Sequence, residues 1–94
     1  MKPYKRNYLK SIGAGEQDFV PCEVCGMAAN HIHHIHEKGM GGRSNADGLD
    51  NLVALCYQHH QEAHRNVPTM TKEMLLKIAA DRIERLSRVG KAAF

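Results

Sequence analysis

Cys22-x2-Cys25 and Cys56-x2-His59 are two candidate ligand pairs at the same spacing, with 30 residues between them. Each pair lets neighbouring side chains converge on one tetrahedral ion, so closing both clamps the two ends of the intervening segment. Thiolates with one imidazole select zinc, and a shell of four protein ligands leaves no place for substrate. A structural zinc on Cys22, Cys25, Cys56 and His59 is therefore expected. Pro21 and Gly26 enclose the first pair as a knuckle, in which backbone amides turn toward the sulfurs and stabilise thiolate charge. The simpler alternative is a buried Cys56 after an apolar strand and a helix-surface His59, with Cys22-x2-Cys25 left to redox work.

All seven histidines fall between His31 and His64, four of them in the run His31-Ile32-His33-His34-Ile35-His36. His60 and His64 are four apart, so on a helix both rings project from one face and can bind one ion together. A third ligand must then come from the histidine run. His33 and His34 lie on opposite sides of a strand, which suits a division in which one ring binds metal and its neighbour stays free as a base. His31 alternates with His33 and is read first as an ordinary strand residue. His36 shares the side of His34, where it could hold a phosphate, although a surface histidine is the plainer account.

The elements that must position these groups follow from pattern and breakers. Residues 1–20 form a basic lead-in, with Lys2, Lys5, Arg6 and Lys10 ahead of Glu16 and one short helix around Tyr4 to Ile12. Its charge fits phosphate contact and a solvated, frayed terminus equally well. His31 to His36 reads as a strand, and residues 37–50 as a loop through Gly39, Gly41, Gly42 and Gly48. Leu52 to Cys56 is an apolar run of strand length, and Tyr57 to His64 has no breaker until Asn66 and Pro68. The segment 69–90 holds an amphipathic helix over 71–89, with Met74, Leu75, Ile78, Ala79, Ile83 and Leu86 on one stripe and Gly90 as its stop. That stripe is core or a homodimer face. The other side, with Lys72, Lys77, Arg82, Arg85 and Arg88 against Glu73, Asp81 and Glu84, reads as solvated surface.

The chain has 94 residues, which make one domain with a modest core that benefits from metal support. It has no tryptophan, two phenylalanines and three tyrosines, so aliphatic residues and the ligand frame must hold it together. Three cysteines cannot pair completely, and no apolar run suggests a signal peptide or a membrane span. A reducing, cytoplasmic setting without a membrane partner is the expectation. A net charge of +3 is by itself weak evidence for nucleic-acid binding.

The order His33-His34-Ile35, Asn51-Leu52, Leu55-Cys56-x2-His59-His60 and His64 resembles the HNH endonucleases, the ββα-metal (His-Me finger) nucleases of phages, mobile introns, bacteriocins and restriction systems. The resemblance covers about residues 20–66 and joins the catalytic series to the zinc frame in order. It implies a small α+β domain stapled by structural zinc, with 21–66 as a zinc-framed ββα-metal core and a C-terminal amphipathic helix. It also implies that His34 is the general base, that His33, His60 and His64 bind the catalytic ion, and that Asn51 holds the base strand. Two positions depart from the common pattern. His59 replaces a fourth sulfur, and histidine stands at 33 where aspartate is frequent. An imidazole-rich site should prefer Zn2+, Ni2+, Co2+ or Mn2+ over Mg2+.

The implied activity is metal-dependent hydrolysis of DNA phosphodiester bonds with weak sequence specificity, leaving 5′-phosphate and 3′-hydroxyl ends, in phage or mobile-element DNA processing or recombination. Arg43 in the glycine loop, Arg65 after the helix and His36 are candidate phosphate contacts. Two rival functions remain open at this level. One is a non-catalytic zinc module that binds DNA or protein, which leaves His33, His34, Asn51, His60 and His64 without a role. The other is a nuclease subunit of a larger phage assembly.

Overall fold

The computed structural model describes residues 3–15, 17–36 and 48–92. The element order is helix α1 (Pro3–Ser11), strand β1 (His31–His34), a 3-10 turn (Leu49–Asn51), strand β2 (Leu52–Leu55), helix α2 (Tyr57–Arg65) and helix α3 (Lys72–Ala92). Two strands and three helices around one small sheet make an α+β fold.

β1 and β2 pair antiparallel, with His31 opposite Leu55, Ile32 opposite Ala54, His33 opposite Val53 and His34 opposite Leu52. All four residues of β2 are buried, because both faces of the strand are covered. Leu52 and Ala54 pack with Tyr8 and Leu9 of α1. Val53 and Leu55 pack with Cys22, Ile35, Met70 and, from α3, Leu75 and Ala79. Alternation then sends His31 and His33 to the second face and Ile32 and His34 to the first. A register slip of one residue would exchange the two sets.

A buried strand with one partner leaves the polar groups of its other edge to be satisfied elsewhere. Here that edge is closed by two side chains and two backbone groups. Leu52 N–H donates to Leu49 O, and Leu52 O accepts from Arg82 Nη1 at 2.8 Å. Ala54 N–H donates to Glu23 Oε2 at 2.9 Å, and Ala54 O accepts from Glu23 N–H at 2.9 Å. Glu23 also takes Tyr8 O–H at 2.8 Å and pairs with Arg82 at 2.6 Å, while the guanidinium lies 4.8 Å from the centre of the Tyr8 ring. Burial, followed by the negative charge of Glu23, pushes the Tyr8 phenol well above its ordinary range.

Several expectations change. Arg82, read as solvated surface, is 3 % exposed, because an arginine stem can cross apolar contacts while its fork satisfies backbone oxygens and a carboxylate. Met74, assigned to the inward stripe, is exposed, and the inward line of α3 is Leu75, Ala79 and Arg82. The helix does not stop at Gly90 but continues to Ala92, since glycine inside a helix costs only about 1 kcal/mol relative to alanine. The first strand ends at His34, where Asn51 takes over the main-chain pairing of His36. The lead-in is no frayed tail, since Tyr8 and Leu9 of α1 are core residues.

Helix boundaries follow local chemistry. Asn66 at φ 53° caps α2 in the left-handed conformation, its N–H reaching Ala63 O and Glu62 O. Thr71 Oγ1 accepts from Met74 N–H at 3.3 Å and so opens α3. No described helix is long and apolar enough to cross a membrane.

Candidate active site and metal centres

The knuckle between Pro21 and Ala28 is closed by a β-bridge, and Gly26 turns it at φ 82°, a left-handed conformation that favours glycine. This turn faces the start of α2, where Cys56 is the N-cap and His59 lies on the first turn. Cys22 Sγ is 3.7 Å from His59 Nδ1, Cys56 Sγ is 3.2 Å from the same nitrogen, and Cys25 Sγ is 3.8 Å from Cys56 Sγ. All four donor atoms lie within 4.8 Å of one another. Ligands at tetrahedral zinc distances sit roughly 3.3 to 3.8 Å apart, so this donor set fits one ion. Burial pushes the Cys22 thiol up, but the backbone amides of Cys56, Cys25 and Val24 together outweigh it and hold it down at about 6. For Cys25 the Met27 amide acts downward, and burial with the neighbouring Cys22 and Cys56 sulfurs overcomes it and raises the thiol.

The second cluster lies one residue further along the same helix. His60 and His64 rise from α2 with their Nε2 atoms 3.1 Å apart, and His33 of β1 meets both rings edge-on at 5.1 and 5.2 Å between centroids. One nitrogen from each of the three lies within 4.8 Å of the others. Nitrogens that share an ion at about 2.1 Å are separated by roughly 3.0 to 3.4 Å, which the His60 and His64 spacing meets. Burial, reinforced by the surrounding histidines, lowers both His33 and His60 from 6.5 to about 4. Lys72 adds a further downward push on His33. Both rings are thus neutral at ordinary pH with lone pairs available to a cation. His60 Nδ1 is buried and has no hydrogen-bond partner among the described residues. The three-imidazole, carboxylate-free set suits borderline divalent ions better than Mg2+.

His31 stacks on His60 with centroids 4.1 Å apart and planes at 24°. It is a strand residue, as the sequence reading has it, and alternation places it on the face of His33, which brings it to His60. His34 faces the other side of β1, where its ring lies 4.4 Å from that of Tyr4. Asn51, fully buried, accepts from His36 N–H and donates to His36 O, each at 2.9 Å, and its own carbonyl accepts from Ile35 N–H. These three bonds fix the chain just after His34. A cavity of about 480 Å³ runs across both faces of β1, bounded by His31, His33 and His34, by His60 and His64, and by Tyr4, Lys5 and Lys72.

Of the candidate phosphate contacts, Arg65 is exposed at the end of α2 and does not line this cavity, and His36 is half-buried outside it. Arg43 lies outside the described residues. Sequence reasoning did not single out Tyr4 or Lys72 for the site. The basic residues of the lead-in were the one available signal for Lys5.

Residues 22–66 match the HNH endonuclease family. Probable mobile endonuclease C of Enterobacteria phage T4 is 38 % identical over 61 residues, which are 65 % of this chain and 27 % of that protein. Uncharacterized protein YdfU of Escherichia coli (strain K12) is 32 % identical over 62 residues, 66 % of this chain and 18 % of that protein. The chain thus spans less than a third of the length of either relative. No solved structure matches it. Residues 22–66, which carry both candidate donor clusters, are thus the part of the chain that is similar to the HNH endonucleases.

Proposed function

We propose that this protein is a metal-dependent endonuclease that hydrolyses phosphodiester bonds of DNA with weak sequence preference. The match of residues 22–66 to the HNH endonuclease family and the similarity to a phage mobile endonuclease support a nuclease. The observation that carries the finer reading is the separation of His33 and His34 across β1, one ring beside His60 and His64 and the other beside Tyr4 in the same cavity.

In this reading Cys22, Cys25, Cys56 and His59 hold structural zinc, and His33, His60 and His64 hold a divalent cation. When bound, that cation supplies charge neutralisation at the scissile phosphate and at the departing 3′ oxygen. His34 takes the proton from the attacking water, since its ring lies on the face of β1 opposite the ligand cluster and lines the same cavity. Asn51 keeps the base strand from fraying by holding His36 at both main-chain atoms. Zn2+, Ni2+, Co2+ and Mn2+ are the expected ions, and mobile-element or phage DNA processing is the expected setting.

The test is plasmid cleavage across a series of divalent ions, with wild type beside His34→Ala. Wild type should relax or linearise supercoiled DNA with at least one of these ions, and the variant should lose that activity while keeping its zinc. Intact plasmid with every ion, or equal cutting by the variant, overturns the reading.

A further inference from the structure

The cavity wall has a charge pattern that the histidines do not explain. Thirteen of the described residues line it, and besides the histidines the ionisable side chains among these are Tyr4, Lys5 and Lys72, with no carboxylate. The two lysines come from different parts of the fold. Lys5 belongs to α1, which packs on the Leu52 and Ala54 face of the sheet, whereas Lys72 opens α3, which packs on the Val53 and Leu55 face. They therefore approach β1 from opposite sides, Lys5 next to Tyr4 on the His34 side and Lys72 on the His33 side.

We propose that Lys5 and Lys72 bind DNA phosphates flanking the scissile one, so that the cleaved strand crosses β1 between α1 and α3. The inference rests on the nuclease reading and names the substrate contacts it needs. An ammonium on a flexible stem suits a phosphate as a point charge without demanding planar geometry, which fits binding without base readout. Two cations and no acid among the described lining residues give the complementarity that a polyanion requires. Both helices lie wholly outside residues 22–66, so the matched segment would be completed by its flanking helices.

The experiment measures binding of a fluorescent DNA duplex by the full chain in the His34→Ala background, loaded with zinc and Co2+, across a salt series. Each counterion-releasing phosphate contact contributes about 0.9 to the slope of log K against log salt. Lys5→Gln and Lys72→Gln should each weaken binding and flatten that slope by about 0.9, with the double variant flattening it by about 1.8. Lys77→Gln, on an exposed part of α3 outside the cavity, should leave the slope unchanged. In the cleaving protein the same two changes should raise KM while kcat at saturating DNA stays within about twofold. Circular dichroism and zinc content confirm that each variant is folded. If the active protein cuts DNA but both lysine variants bind with the parental slope, this inference fails and the nuclease reading stands. If the active protein does not cut DNA, the nuclease reading itself fails.

Discussion

Glu23 Oε2 and Arg82 Nη1 meet at 2.6 Å although 59 residues separate them in the chain, and both side chains are nearly excluded from solvent. Glu23 sits between the knuckle cysteines, and Arg82 sits on the inward line of α3. Their contact therefore links the zinc frame to the C-terminal helix across the outer edge of β2. It also removes the exposed strand edge that a two-stranded sheet would otherwise present.

Removing one partner of a buried pair leaves an uncompensated charge and, here, an unpaired strand carbonyl. Arg82→Met should destabilise the zinc-loaded protein by about 3–5 kcal/mol. Arg82→Lys should recover only part of this, because one ammonium cannot reach Glu23, Leu52 O and Leu49 O together. Urea unfolding of the three proteins at equal zinc saturation checks the order. A midpoint for Arg82→Met equal to that of wild type would mean that the strand edge is closed by other groups.

The two ligand sets were legible because metal chemistry fixes both residue type and spacing. Cys-x2-Cys, Cys-x2-His and the His60 and His64 pair each report a local geometry that needs no knowledge of the rest of the chain. The strand alternation that sends His33 and His34 to opposite faces is local in the same sense. Arg82 was illegible for the opposite reason. Its neighbours Asp81, Glu84, Arg85 and Arg88 follow a solvated helical pattern, and the carboxylate that draws it inward lies in the knuckle. Tyr4 and Lys5 join the cavity only because Tyr8 and Leu9 anchor α1 against β2, a long-range contact with no periodic signature in nine residues. Residues 37–47, with Gly39, Gly41, Gly42 and Arg43, lie outside the described residues.

Asn51 offers a prediction about positioning. Asn51 is fully buried and its side chain makes two hydrogen bonds to the main chain of the half-buried His36, so Asn51→Ala strands a donor and an acceptor just after His34. The cost should be about 1–3 kcal/mol. Cleavage should fall by more than the loss of folded protein explains, since the segment after His34 is no longer fixed. Asn51→Asp keeps the acceptor for His36 N–H but turns a carboxylate oxygen toward His36 O, so it should not restore activity. Comparing kcat at a temperature where each variant is fully folded separates the two effects. Full activity in Asn51→Ala at that temperature would remove Asn51 from the positioning role.

The depressed histidines predict an acid-sensitive fold when the three-histidine site is empty. His33 and His60 bind protons near pH 4 in the folded chain and near 6.5 when unfolded. Between those values the unfolded state holds more protons, so stability falls as pH drops from 6.5 through about 4 and is unaffected by these two groups above that window. His33→Phe removes one of them. The difference in thermal midpoint between wild type and His33→Phe, each holding a single zinc on its cysteines and nothing on the histidine cluster, should shift in favour of the variant as pH falls from 7 to 5. A difference that stays constant with pH would show that the His33 ring titrates normally in the fold.

The adjacent pair His59 and His60 allows the two candidate metal centres to be separated by experiment. His59 faces the cysteine frame through Nδ1, whereas His60 meets His64 through Nε2, and the backbone between them is the first turn of α2. Cys25→Ala should therefore lose zinc and unfold at room temperature, since the knuckle and the start of α2 are then no longer tied together. The double variant His60→Gln, His64→Gln should keep one zinc and its fold but lose affinity for a second divalent ion, because a single imidazole remains in that cluster. Metal content after dialysis, read with Co2+ absorption, distinguishes the sites: thiolate ligation gives intense charge-transfer bands that an all-imidazole site lacks. If the double variant also lost its thiolate-bound ion, the two centres would be one coupled unit, and assigning separate structural and reactive roles to neighbouring histidines would be wrong.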